Sequence, residues 1–124
     1  MELDSFFSNP RWRILEIIAK KPSSPLEISH EMNTSVAYIS QQLKLLETAQ
    51  LITKKRTGFS DKGKPRTVFS LKGDMAYLSI LTKDLQKKNL MYLSDRQNAI
   101  LKIWSIDNPV FREELESLYF SFVQ

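Results

Sequence analysis

The chain has 124 residues, with 18 Lys and Arg against 14 Asp and Glu, no cysteine and one histidine, His30. That length supports one compact domain with a real core and a small appendage, and the missing thiols remove disulfides, thiol catalysis, thiolate metal sites and thiol redox sensing together. No run reaches the length of a membrane span. Glu2 and Asp4 open the chain where a secretory signal would need a basic region, so the expected compartment is the cytoplasm.

Leu3, Phe6 and Phe7 precede the first regular element, and apolar residues this close to a terminus are expected to dock on something. Asn9 reads as an N-cap with Pro10 at the first helical position. Trp12, Ile14, Leu15, Ile17 and Ile18 then give a broad apolar face through about Lys21. Pro22 and Ser23-Ser24 end that helix. The run Ser24-Pro25-Leu26-Glu27 has the form of a capping box, with proline at the first position, and opens a short helix to Met32 or Asn33. Leu26, Ile28 and Met32 are expected to face inward, and His30 reads as a surface or boundary residue. Asn33-Thr34-Ser35 fits a glycosylation pattern, a chance match in a chain without a secretory route.

The next helix, Ser35 to about Gln50, has Val36, Ile39, Leu43 and Leu46 at helical spacing as its inner stripe. The opposite face carries Thr34, Ala37, Tyr38, Gln41 and Lys44, with Ser35 at the start and Gln42 on the flank. It holds no carboxylate until Glu47. Hydroxyls and amides can bond base edges in a major groove, where a carboxylate would repel phosphate. Two short helices joined by about three polar residues fit a helix-turn-helix.

Residues 54 to 72 carry seven basic side chains and one acidic, whereas residues 1 to 53 sum to −1 and residues 73 to 124 also to −1. The whole positive excess therefore lies directly after this helix, as an electrostatic footprint for phosphates would. Leu51 to Arg56 and Arg66 to Leu71 read as strands, the second with Thr67, Phe69 and Leu71 on one side. Gly58 to Pro65 supplies turn chemistry. Three helices followed by a hairpin with a basic tip make a winged helix. The expected fold is mainly α with a small β-hairpin: a winged helix-turn-helix over residues 1–72, followed by C-terminal helices over residues 73–124.

From about Phe6 to Leu71 the chain resembles the ArsR-like winged-helix transcription regulators, especially archaeal versions. The resemblance rests on S-N-P-R-W-R-I-L-E-I-I, L-E-I-S-H-E-M, S-V-A-Y-I-S-Q-Q-L-K-L-L-E-T-A-Q-L-I and G-K-P-R-T-V-F-S-L. Ser40, Leu43, Lys44, Leu46, Glu47, Ala49, Leu51 and Ile52 match the family pattern, and Gln50 stands where the family has glycine. A glycine would take a left-handed helix end at no steric cost, so Gln50 implies mild strain or a different ending. The metal-sensing cysteines of the family are absent, so no metal effector is expected. The resemblance implies a dimer made through terminal helices.

Beyond this region, Asp74 to Leu81 is expected to be extended and Thr82 or Lys83 to Leu93 helical. Ser94 reads as an N-cap, followed by a helical face of Ala99, Ile100, Ile103 and Trp104. Asn108-Pro109 opens a last helix to about Phe122, in which Phe111, Leu115, Leu118 and Phe122 are spaced four, three, four. With Phe6 and Phe7 they form the expected dimerisation surface; the other possibility is that this helix packs back on its own domain.

The expected function is a homodimeric, sequence-specific DNA-binding transcriptional regulator that acts on double-stranded DNA, without cofactor, metal or membrane. Tyr38, Gln41 and Gln42 are the candidate base readers. Thr34, Ser35, Ser40 and Lys44 are the candidate phosphate contacts on the helix. Lys62, Lys64 and Arg66 are the wing residues that reach the flanking backbone or minor groove. The alternative is a winged-helix interaction module within a larger complex. An enzyme is not expected: no nucleophile-base arrangement, glycine-rich phosphate loop or metal-ligand cluster is present, and Asp107, Glu113 and Glu114 read as helix-end charges and a solvated face.

Overall fold

The computed structural model describes residues 3–59 and 65–123. They form two compact units, Met1–Gly73 and Asp74–Gln124.

The first unit contains α1 (Leu3–Phe6), α2 (Arg11–Lys20), α3 (Pro25–Met32), α4 (Val36–Thr48) and the antiparallel strands β1 (Ile52–Phe59) and β2 (Pro65–Leu71). This is a winged helix. Its core is aliphatic: Ile14, Leu15, Ile17 and Ile18 of α2 meet Ile28 of α3, Ile39, Leu43 and Leu46 of α4, and Leu51, Ile52, Val68 and Phe69 of the wing. Each such side chain contributes roughly 1.5–3 kcal/mol on burial.

The helix starts are set by short polar devices. At α3 the Glu27 N–H donates to the Ser24 hydroxyl at 3.2 Å and the Ser24 N–H donates to the Glu27 carboxylate at 3.0 Å, so the expected capping box forms. At α4 the Tyr38 N–H donates to the Ser35 hydroxyl at 3.1 Å. The expectation for α2 is corrected. Asn9 does not cap it and Pro10 precedes its first residue; backbone carbonyls of Ser8 and Pro10 accept instead from the Trp12 and Ile14 N–H groups at 3.0 and 3.3 Å.

The helix ends show why Gln50 is tolerated. Asn33 closes α3 in the left-handed region at φ 55°, with its N–H on the His30 carbonyl and the Thr34 N–H on the Ser29 carbonyl. Gln50 does the same after α4 at φ 64°, with its N–H on Glu47 and the Leu51 N–H on Leu46. These are paired Schellman closures. The apolar contact that accompanies such an ending is available, since Leu46 and Leu51 are both fully buried. The left-handed ending that a glycine would take is thus formed by Gln50, in a conformation that costs a non-glycine residue on the order of 1 kcal/mol.

Three residues expected to face inward do not. Trp12, Leu26 and Val36 are substantially exposed, because each lies in the first turn of its helix, at the margin of the core. Trp12 instead lies beside Phe7, ring centroids 6.5 Å apart. One pairing was not foreseen: Ser23, just ahead of α3, forms an antiparallel bridge to β2. The Ser23 N–H donates to the Phe69 carbonyl at 3.0 Å and the Phe69 N–H to the Ser23 carbonyl at 2.8 Å.

The second unit contains β3 (Met75–Leu81), β4 (Gln86–Tyr92), α5 (Asp95–Trp104) and α6 (Pro109–Val123). The helix expected from Thr82 or Lys83 to Leu93 is corrected to a turn and a strand, and the extension is a hairpin plus two helices. β3 and β4 pair antiparallel from Met75↔Tyr92 to Leu81↔Gln86. The turn is held by the Thr82 N–H on the Leu85 carbonyl at 2.8 Å and the Leu85 N–H on the Thr82 hydroxyl at 2.9 Å. Asp74, expected to be extended, precedes β3 and accepts at its carbonyl from the Leu93 N–H at 2.8 Å. Ser94 and Gln97 form a second capping box at α5, and the Asn108 carboxamide oxygen caps α6 by accepting from the Val110 and Phe111 N–H groups. The helices are tied by the Trp104 indole N–H on Glu116 at 2.8 Å and the Tyr119 hydroxyl on the Arg96 carbonyl at 3.1 Å. No helix among the described residues is long and apolar enough to cross a membrane.

Candidate nucleic-acid interface

The outer face of α4 is built as its 3.6-residue period requires. Ile39, Leu43 and Leu46 hold the helix in the core, which turns Ser40, Gln41 and Lys44 outward; all three are exposed, as are Thr34 and Ser35 at its start. Tyr38 is half-buried. The Ser35 hydroxyl is committed as cap, and the Thr34 N–H closes α3 on the Ser29 carbonyl at 3.0 Å. Ser40, Gln41 and Lys44 thus present one hydroxyl, one amide and one cation without a carboxylate between them.

Gln42 departs from the expected reading face. It is 7% exposed, because it lies three residues after Ile39 and four before Leu46, on the inward side of the helix. Its carboxamide oxygen accepts from the Arg11 guanidinium at 2.8 Å. Arg11 also donates to the Ser5 carbonyl at 3.4 Å and lies over the Phe6 ring, 5.7 Å from its centroid. One side chain thereby joins the N-terminal segment to the middle of α4. This burial and pairing remove Gln42 from the exposed face expected to carry the base readers. Sequence gave no local sign of the Arg11–Gln42 pair, since its members are far apart in the chain.

On the wing, Lys54, Lys55 and Arg56 of β1 are exposed. Arg66 of β2 is ion-paired with Glu27, so the residue expected to reach DNA also ties the wing to the capping box of α3. Lys62 and Lys64 lie outside the described residues. Between α4 and the wing, with Pro25 at one side, opens a cleft of about 390 Å³. Ser40, Lys44 and Glu47 line it from the helix and Lys54, Thr67 and Phe69 from the wing. Lys54 and Thr67 had not been singled out from sequence; their strand register, Lys54↔Phe69 and Arg56↔Thr67, is what sets them on the helix side.

The expected dimerisation residues separate into distinct environments. Phe6 is 5% exposed within the first unit, which corrects its assignment to an intersubunit surface, and Phe7 is half-buried against Trp12. On α6, Phe111 and Leu118 are 51% and 55% exposed, and Leu115 is half-buried. The Phe122 side chain lies outside the described residues.

Among the described residues, no group of three His, Asp or Glu side chains could hold a metal ion. No protein-family model matches the chain, and no curated protein matches it. Among solved structures, a variant of Lactococcus lactis ZitR is similar at 24% identity and a TM-score of 0.48, over 57% of this chain and 47% of that one. The chain therefore spans less than half the length of that protein.

Proposed function

We propose that this chain is a sequence-specific DNA-binding transcriptional regulator of the ArsR-like kind, acting in the cytoplasm as a homodimer and without catalysis. The observation that carries this reading is the exposed, carboxylate-free start of α4 beside a strand bearing Lys54, Lys55 and Arg56. α4 enters the major groove, where Gln41 and Tyr38 read base edges and Thr34, Ser35, Ser40 and Lys44 hold phosphates. The wing lies along the flanking backbone or minor groove through Lys62, Lys64 and Arg66. Phe111, Leu115, Leu118 and Phe122 pair two copies, so that two recognition helices address half-sites about one DNA turn apart.

The test is fluorescence anisotropy with random duplex DNA at two salt concentrations, on wild type and on a Lys62, Lys64, Arg66 triple-alanine variant. Salt-steep binding that weakens in the variant supports the reading. No binding near the ~10⁻⁴–10⁻⁶ M of non-specific binders rejects it.

A second reading has its own observation. Every described side chain of the second unit from Asp74 to Ser121 is at least partly exposed, as in a docking module whose partner is another protein. Sedimentation separates the two: a self-sufficient regulator is dimeric, and a subunit of a larger complex is monomeric or aggregates alone.

A further inference from the structure

We infer that the cleft between α4 and the wing seats a backbone phosphate of bound DNA, held by Lys54 and Thr67 of the wing together with Ser40 and Lys44 of the helix. This rests on the DNA-binding reading and moves the wing's anchoring contact from the hairpin tip to its root. Ser40, Lys44 and Glu47 follow one another at spacings of four and three, so they form a single stripe along α4. Across from this stripe, the pairing of Lys54 with Phe69 and of Arg56 with Thr67 puts Lys54, Arg56 and Thr67 on the strand face that Phe69 presents. The cleft is thus lined by Ser40, Lys44 and Glu47 on the helix wall and by Lys54, Thr67 and Phe69 on the wing wall. Its volume of about 390 Å³ accommodates a phosphodiester with several waters, each taking roughly 30 Å³. Donors that converge from two separate elements suit the tetrahedral array of oxygens on a phosphate. They also fix the angle between helix and wing when it is bound.

Glu47 lines the same cleft and gives the inference its sharpest consequence. A carboxylate beside a bound phosphate opposes it, so Glu47 limits how tightly the site holds any duplex and leaves more of the binding to base contacts. Two substitutions in one cleft must therefore act in opposite directions, and neither may depend on sequence.

The experiment is anisotropy on the full chain with a selected site and a scrambled duplex, across a salt series, for wild type, Lys54→Ala, Thr67→Val, Glu47→Gln and the control Lys20→Ala. Lys54→Ala is expected to weaken both duplexes by roughly three- to tenfold and lower the salt slope by about one. Thr67→Val weakens both to a smaller extent, Glu47→Gln tightens both, and Lys20→Ala, an exposed cation at the end of α2, changes neither. The exposed position of Lys54 makes misfolding no explanation, and thermal melting of each variant checks this. Wild-type binding that Lys54→Ala and Glu47→Gln leave untouched, or alter on the selected site alone, overturns the phosphate seat while the DNA reading stands. A wild type that binds neither duplex overturns both.

Discussion

Among the described residues, thirteen apolar side chains are buried between Phe6 and Phe69, and between Asp74 and Ser121 there are none. Both units are nevertheless assembled from well-made elements. Ser24 and Ser94 build the same capping box, and each unit has a regular antiparallel hairpin. Caps and strand pairing settle where elements begin and end, but each is worth only about 1 kcal/mol. Isolated short helices and lone two-stranded hairpins are marginal in water. The first unit adds a closed aliphatic core; the second leaves Phe111, Leu118 and Trp104 about half exposed. The difference teaches that regular elements alone do not make a core: the first unit carries one, and the second rests on caps, strand pairing and partly buried contacts.

The largest test of this contrast is Leu43→Ala. Leu43 is fully buried in the first unit, so its truncation should cost about 2–5 kcal/mol, equally at low and high protein concentration, as read by urea unfolding. The counterpart is Phe111→Ala with Leu118→Ala. If a second copy covers α6, this double variant should lose roughly 2 kcal/mol and the concentration dependence of its melting temperature. A wild-type melting temperature that is flat over a hundredfold dilution would remove the intersubunit role of α6. Next comes Arg11→Ala, which leaves the buried Gln42 carboxamide without its donor and should cost about 1.5 kcal/mol. Adding Gln42→Leu should restore part of that loss, and strict additivity in the double-mutant cycle would show that the two side chains act independently. The smallest effect runs the other way: Gln50→Gly should stabilise the first unit by about 0.5–1 kcal/mol, because glycine takes φ 64° without a steric cost.

What could be read from the chain follows the same division. The Ser24 capping box, the Ser94 and Asn108 caps and the apolar stripe Ile39-Leu43-Leu46 are local patterns, and the helices they mark are where they are expected. Gln86 to Tyr92 reads as helical because it holds no β-branched residue and is rich in helix formers. Only its partner β3 makes it a strand, and a partner is not visible in a strand's own residues. Within the candidate site, the exposed face of α4 was legible from period alone. Gln42 shows the limit of that reading: its amide suits base edges, but its position between Ile39 and Leu46 turns it into the core. Alternation along β2 puts Thr67 with Phe69, but only the pairing of β1 with β2 adds Lys54 to that face, and register is a property of two segments at once.

The bridge between Ser23 and Phe69 gives the connection between α2 and α3 a property its composition hides. Pro22-Ser23-Ser24 has the makeup of an ordinary surface loop, whose amides would exchange with solvent hydrogen within moments. Here Ser23 is buried, and its N–H and the Phe69 N–H each close a bond to the other's carbonyl. Opening either one requires the wing to part from the helices, so both amides should exchange only through the largest unfolding event of the first unit. In a hydrogen-exchange experiment this short connection should therefore retain its label about as long as the middle of α4.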